Sequence, residues 1–178
     1  MRNGLFPRHT AMEMLETEPL SIPDSEDASP ESICAYVARV FGVRTTEIAL
    51  LQVTGTLLKF IFPPELKRVG AIPLSGSAVA ARTARKKRPE LFNTFTRVKH
   101  SSVFEVIKLG ADGTNAEVIQ KLMSAPILVS DGEVIGVLQV SRKAHSPAAA
   151  GPDFTSEDLQ SLEAVANSLA QLLPQEKT

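Results

Sequence analysis

Cys34 and three histidines, His9, His100 and His145, are the side chains here with the widest chemical range. A thiolate attacks or ligates, and an imidazole moves protons or binds metal near neutral pH. Spacing decides whether either does so. The histidines are scattered and show no metal-ligand spacing. No nucleophile stands at a recognisable distance from a base, so no catalytic set is visible and no enzymatic activity is expected. One cysteine cannot close an internal disulfide, which fits a cytoplasmic compartment.

Charge is the second chemical feature. The net charge of −1 hides an uneven layout. Residues 1–29 carry two basic and six acidic residues, residues 30–145 sixteen and nine, and residues 146–178 one and five. A basic middle is flanked by acidic ends. Its densest point is Arg85-Lys86-Lys87-Arg88, at the end of a predicted helix, where cations favour the negative dipole end. The run is either a solvated helix terminus or a site for an anion or acidic partner. Aromatics do not interleave with it and no nucleic-acid-binding signature accompanies it, so nucleic acid is not an expected partner. No apolar run reaches the roughly 18 residues that a membrane span needs, and no signal peptide or lipidation motif is visible.

The elements that must position these residues follow from hydrophobic period and punctuation. The chain divides into an acidic arm over 1–28, a domain over 29–173 and a tail over 174–178. The arm has room for a short helix over HTAMEMLETE. Ser29 caps a helix, Pro30 suits its first turn and Gly42 its stop; Ile33, Val37, Val40 and Phe41 share one face. EIALLQV and TLLKFIF form a hairpin around Thr54-Gly55, ended by Pro63-Pro64. A helix is predicted over about 76–86, a short strand over 90–93 and another short helix in HSSVFEVIKLG. Asp131-Gly132 joins two long strands and carries a primed-turn signature. Those strands are apolar at odd and even positions alike, so both faces of their sheet must be covered. Thr155 and Asp158 form a capping box at the start of a last helix.

In that order, these stretches resemble the GAF domain family. IPLSGSAVAARTARKKRPELF is similar to the family's segment after the second strand. KLMSAPILVSDGEVIGVLQVS is similar to its central hairpin, and DFTSEDLQSLEAVANSLAQLL to its last helix. The resemblance covers roughly Ser29 to Leu173. It implies an α+β fold: a six-stranded antiparallel sheet, the first and last helices on one face, and a ligand pocket with its cover on the other. Members bind cyclic nucleotides, tetrapyrroles, haem or small metabolites, and others serve as dimerising signal modules.

Residue by residue, the carry-over is partial. Nucleotide-binding members carry Asn-Lys, then Phe, three residues, Asp-Glu. Here Ser141 and Arg142 hold the first pair, Phe154 and Asp158 match, and Leu159 replaces the Glu, so cyclic nucleotide binding is not expected. Cys34 lies in the first helix, away from the pocket, and reads as a small buried hydrophobe. Methionine-sulfoxide-reducing members need several cysteines, and one is present. His100 either meets a ligand, as a hydrogen-bonding group or haem ligand, or sits at the surface. Phe92, Phe95, Phe104, Ile107 and Met123 either roof a cavity, with Ser124, Gln139 and Ser141 as its polar contacts, or are core.

The resulting expectation is a non-catalytic sensory domain. It binds an unidentified small molecule under residues 90–125 and signals through its terminal helices to a separate output protein. The cofactor is unknown. The alternative is a ligand-free dimerisation and interaction module. Leu162, Val165, Leu169 and Leu172 form a stripe that suits a homodimer interface. Neither a membrane nor nucleic acid is an expected partner.

Overall fold

The computed structural model describes residues 28–68, 70–97 and 117–173. The predicted helices in the arm and in HSSVFEVIKLG, and the residues His9, His100, Phe104 and Ile107, lie outside the described residues. Helix α1 (Pro30–Phe41) starts at Ser29, whose hydroxyl accepts from the Ser32 amide, and stops at Gly42, whose amide reaches the Ala38 and Arg39 carbonyls. Strands β1 (Ile48–Thr54) and β2 (Leu57–Phe62) form the first hairpin, and β3 (Ala71–Pro73) pairs on its outer edge. Helix α2 (Val79–Lys86) follows, then β4 (Glu90–Phe92). The helix begins three residues later than predicted, because Ser75-Gly76-Ser77 turns back on itself through a Gly76 amide to Pro73 carbonyl bond of 2.9 Å.

The central hairpin is β5 (Val118–Leu128) and β6 (Val134–Ala144). Its turn is not of the primed kind. A two-residue type I′ turn needs positive φ at both central residues, and only Gly132 has it, at 83°. Instead the Gly132 amide donates to the Val129 carbonyl and the Val129 amide to the Glu133 carbonyl, which makes a three-residue connection. Helix α3 (Ser156–Leu169) closes the domain. Thr155 and Asp158 exchange side-chain and backbone bonds in the expected capping box.

The strands form one six-stranded antiparallel sheet in the order β3-β2-β1-β6-β5-β4. Both faces are covered, as the two-sided apolarity requires. Helices α1 and α3 lie on one face: Ile33, Val37, Phe41, Leu162, Val165 and Leu169 meet Leu50, Met123, Ile127, Leu138 and Val140. Helix α2 covers the other: Val79, Ala80 and Ala84 meet Leu51, Leu58, Leu122 and Val137, joined by Phe95. The register allows no slack on the helix pair's side. A Cβ built on Gly136 would stand 2.5 Å from the Leu51 carbonyl oxygen and 3.3 Å from a Leu173 methyl.

Candidate functional site

Polar side chains interrupt the α2 face at its centre. Antiparallel pairing sets Ser124 of β5 opposite Gln139 of β6. Thr83 reaches them from α2, the one hydroxyl in VAARTARK. All three are buried, with Ser124 and Thr83 wholly inaccessible. Gln139 Nε2 donates to Ser124 Oγ at 3.1 Å, and the Ser124 and Thr83 hydroxyl oxygens are 2.8 Å apart. Thr83 Oγ1 also lies 3.4 Å from Glu90 Oε2. An amide nitrogen only donates and a carboxylate only accepts, so the two hydroxyls between them can pass hydrogen bonds in one direction, from Gln139 to Glu90.

The row ends in a charged and aromatic rim. Glu90 takes Arg82 Nε at 3.1 Å and Lys86 Nζ at 3.3 Å. The Arg82 guanidinium stands 5.2 Å from the centre of the Phe92 ring. Phe92 meets Phe95 edge-on, at 6.1 Å and 64°. An apolar face with a few convergent polar groups and an aromatic edge is the usual make-up of a small-molecule site.

The structure divides the predicted site residues. Phe92, Phe95, Ser124 and Gln139 share this face, Phe95 fully buried and Phe92 half-buried. Met123 does not. It faces α1 and α3 within the other core, wholly inaccessible. Successive strand residues point to opposite faces, so Met123 and Ser124 cannot line one pocket. Ser141 is buried and its hydroxyl donates to the Glu47 carbonyl at 3.0 Å, which assigns it to the fold. The predicted dimer stripe also needs correction. Leu162, Val165 and Leu169 are at most 1% exposed and pack on the chain's own sheet; Leu172 alone of the four is partly open. Thr83, Arg82 and Glu90 were not predicted. A threonine one turn from Val79 and Ala80, on the apolar side of a short helix, was the available signal.

A second polar cluster ties the far end of the sheet together. The Glu47 carboxylate accepts from the Arg44 amide at 2.8 Å, the Lys143 amide at 2.7 Å and the Arg44 guanidinium at 3.1 Å. Its bonds and that of Glu117 hold the Arg44 guanidinium above its ordinary pKa. Arg142 faces the helix pair: it donates to the Phe41 carbonyl and lies 4.7 Å from the centre of the Phe154 ring. Burial holds its pKa below the ordinary value. The Asn93 carboxamide both donates to the Phe154 carbonyl and accepts from the Phe154 amide, each at 2.9 Å. Ser141, Arg142, Phe154 and Asp158 are therefore all engaged in holding helix ends and loops. Elsewhere, a groove of about 480 Å³ lies between the end of α3 and β5, lined by Leu128, Val129, Ser130, Asn167, Ala170 and Gln171. Among the described residues, no group of three or more His, Cys, Asp or Glu side chains is placed to hold a metal ion, and no helix is long and apolar enough to cross a membrane.

The GAF domain family model matches residues 31–173, four-fifths of the chain. The chain belongs to the GAF domain family. The fold agrees with solved GAF domains. One, from an Acinetobacter phosphoenolpyruvate-protein phosphotransferase, superposes with a TM-score of 0.61 at 12% identity, covering 91% of this chain and 89% of its own. A methyl-accepting chemotaxis protein fragment gives 0.60 at 14%, covering 92% and 94%. A type II free methionine-R-sulfoxide reductase from Thermoplasma acidophilum gives 0.57 at 16%, covering 83% and 93%. No curated protein sequence matches the chain. At these identities the likeness concerns the fold. GAF domains are generally sensory or regulatory, and some are enzymes or parts of enzymes.

Proposed function

We propose that this GAF domain is a non-catalytic sensory module that binds a small molecule on the α2 face and passes its occupancy to the terminal helices. The observation that carries this reading is the buried row Thr83–Ser124–Gln139. Buried polar groups add little to stability that apolar side chains of the same shape would not. Their use is specificity: a row ending in an amide and a carboxylate recognises a hydrogen-bonding edge, while Phe92 and Phe95 suit an apolar or planar body. In sequence, residues 98–116 belong to the middle segment from which the family resemblance draws the pocket cover. The reading takes Phe92, Phe95, Ser124 and Gln139 as ligand contacts, with His100, Phe104 and Ile107 contributed by the cover. Asn93 then links the pocket rim to the loop that starts α3, and a partner domain or protein reads the helix layer.

Native mass spectrometry of gently purified protein tests it. The expected spectrum shows a retained small molecule, lost from the Gln139→Leu variant while the circular dichroism stays unchanged. A bare chain mass in every preparation, with no thermal shift across a metabolite library, overturns it. A reductase role receives no support from the chain's only cysteine. Cys34 is inaccessible, sits on α1 within the helix-side core, and its thiol is pushed up to about 12 by burial, with Glu31 adding to the effect. The thiolate that disulfide exchange needs is scarce there near neutrality.

A second reading, dimerisation through the helix layer, rests on four side chains. Tyr36, Val40, Leu159 and Leu172 pack against the helix-side core yet stay partly open. Leu159→Glu should turn a dimer into a monomer in light scattering without unfolding it. A wild-type monomer at high micromolar concentration removes this reading.

A further inference from the structure

The C-terminus of α2 carries a positive patch that the carboxylates of the described residues offset only in part. Arg85, Lys86, Lys87 and Arg88 are all exposed. Arg85 Nη1 donates to the carbonyls of Leu74 and Gly76, and Lys87 Nζ to the carbonyl of Gly132 at 2.9 Å. A carbonyl accepts a hydrogen bond without cancelling a charge. Lys86 shares the single carboxylate of Glu90 with Arg82. Arg88 forms no ion pair with a described residue. Asp131 and Glu133 flank the acceptor of Lys87 and offset part of the charge, so the excess is greatest at Arg85 and Arg88.

Lys87 is also the only non-glycine residue with positive φ among those described, at 54°. It occupies the left-handed position that ends α2, with its amide on the Thr83 carbonyl. Glycine fills that position without a Cβ penalty, and a lysine there is strained. Helix termination alone does not call for lysine. What lysine adds is a cation, held over the β5–β6 turn.

The complement lies in the same chain. The six acidic residues of the first 29 all fall between Glu13 and Asp27. The described chain opens at Ala28, which packs on the helix-side core immediately before α1. The other end of α1, Phe41, is held by Arg142 near the C-terminal end of β6. Pro30, the first residue of this 12-residue helix, stands at the end away from that contact. Fifteen extended residues back from Ala28 span up to about 50 Å, enough to round the edge of a domain this size.

We propose that the acidic segment Glu13–Asp27 docks in cis on the Arg85–Arg88 patch. The contact screens this surface from other acidic partners and places the arm beside Glu90 and Arg82 at the rim of the candidate site.

Zero-length carbodiimide cross-linking of the full chain, read by mass spectrometry, tests this. A mixture of isotopically heavy and light protein separates links within a chain from links between chains. The expected products join Lys86 or Lys87 to carboxylates of residues 13–27, within one chain, and fade at high salt. Links only between heavy and light chains, or arm links that avoid both lysines, overturn the proposal. The double variant Lys87→Gly with Arg88→Gln keeps Lys86 and relieves the left-handed lysine, so its melting temperature should equal or exceed wild type. Its arm-to-Lys86 links should fall several-fold. Undiminished links in that variant also overturn the proposal.

Discussion

The two faces of the sheet are built from the same strands and packed to different rules. Toward α1 and α3, β5 and β6 present Met123, Ala125, Ile127, Leu138 and Val140, every one apolar and wholly buried. Toward α2, alternate positions of the same strands present Leu122, Ser124, Val137 and Gln139. One face is closed to a single added methyl at Gly136. The other holds hydroxyls and an amide in mid-face. Strand alternation lets one segment carry both demands, stability through one set of positions and selectivity through the next.

Substitutions sharpen this contrast, and the largest effects belong to the helix side. Leu169→Glu buries an unpaired carboxylate where the leucine is 1% exposed. It should cost about 4 kcal/mol or more and leave little folded protein in a urea titration. A folded Leu169→Glu monomer would show that the stripe faces a partner after all. Gly136→Ala comes next. The new methyl must push the Leu51 carbonyl away, which shifts β1 against β6. A loss of about 1–3 kcal/mol is expected in the same titration.

On the α2 side, Ser124→Ala should cost about 1–2 kcal/mol, because Gln139 Nε2 and Thr83 Oγ1 both lose a buried partner. The triple replacement Thr83→Val, Ser124→Ala, Gln139→Leu should be close to neutral in stability while abolishing any ligand adduct. If the triple variant is as damaged as the sum of its parts, the row holds the fold and the faces differ less than described.

The smallest effect concerns the start of α3. Thr155→Ala removes the hydroxyl that caps Asp158 and should cost about 1 kcal/mol. Glu157, fully exposed in the first turn, has its pKa lowered from 4.5, first by its own backbone amide and then by Thr155 and Ser156. Its folded value lies below its unfolded one, so its contribution is present above pH 4.5 and disappears as the pH falls through the folded value. An acid titration of Thr155→Ala should therefore run flatter than wild type over that window.

Much of this architecture was legible in the residues. Ser29, Pro30 and Gly42 mark α1, Thr155 and Asp158 mark α3, and the unbroken apolarity of β5 and β6 requires two covered faces. The failures share one physical cause: period and punctuation locate elements but not what lies across from them. Asp131-Gly132 suits several hairpin turns, and the bond between Val129 and Glu133 selects one. Leu162, Val165 and Leu169 form a stripe whether a sheet or a second chain lies beneath. Thr83 and Glu90 become neighbours of Ser124 only after α2 and β4 have packed. Met123 and Ser124 are adjacent on one strand, so the alternation of strand side chains by itself separates them.

Asn93 gives the protein a built-in gauge. Its carboxamide occupies both the amide and the carbonyl of Phe154, as a neighbouring peptide group would. The Phe154 proton thus belongs to neither helix nor strand, and solvent deuterium replaces it when the bond to Asn93 opens. Its exchange reports the free energy of that opening, and a peptide covering Phe154 would display it without any label being attached.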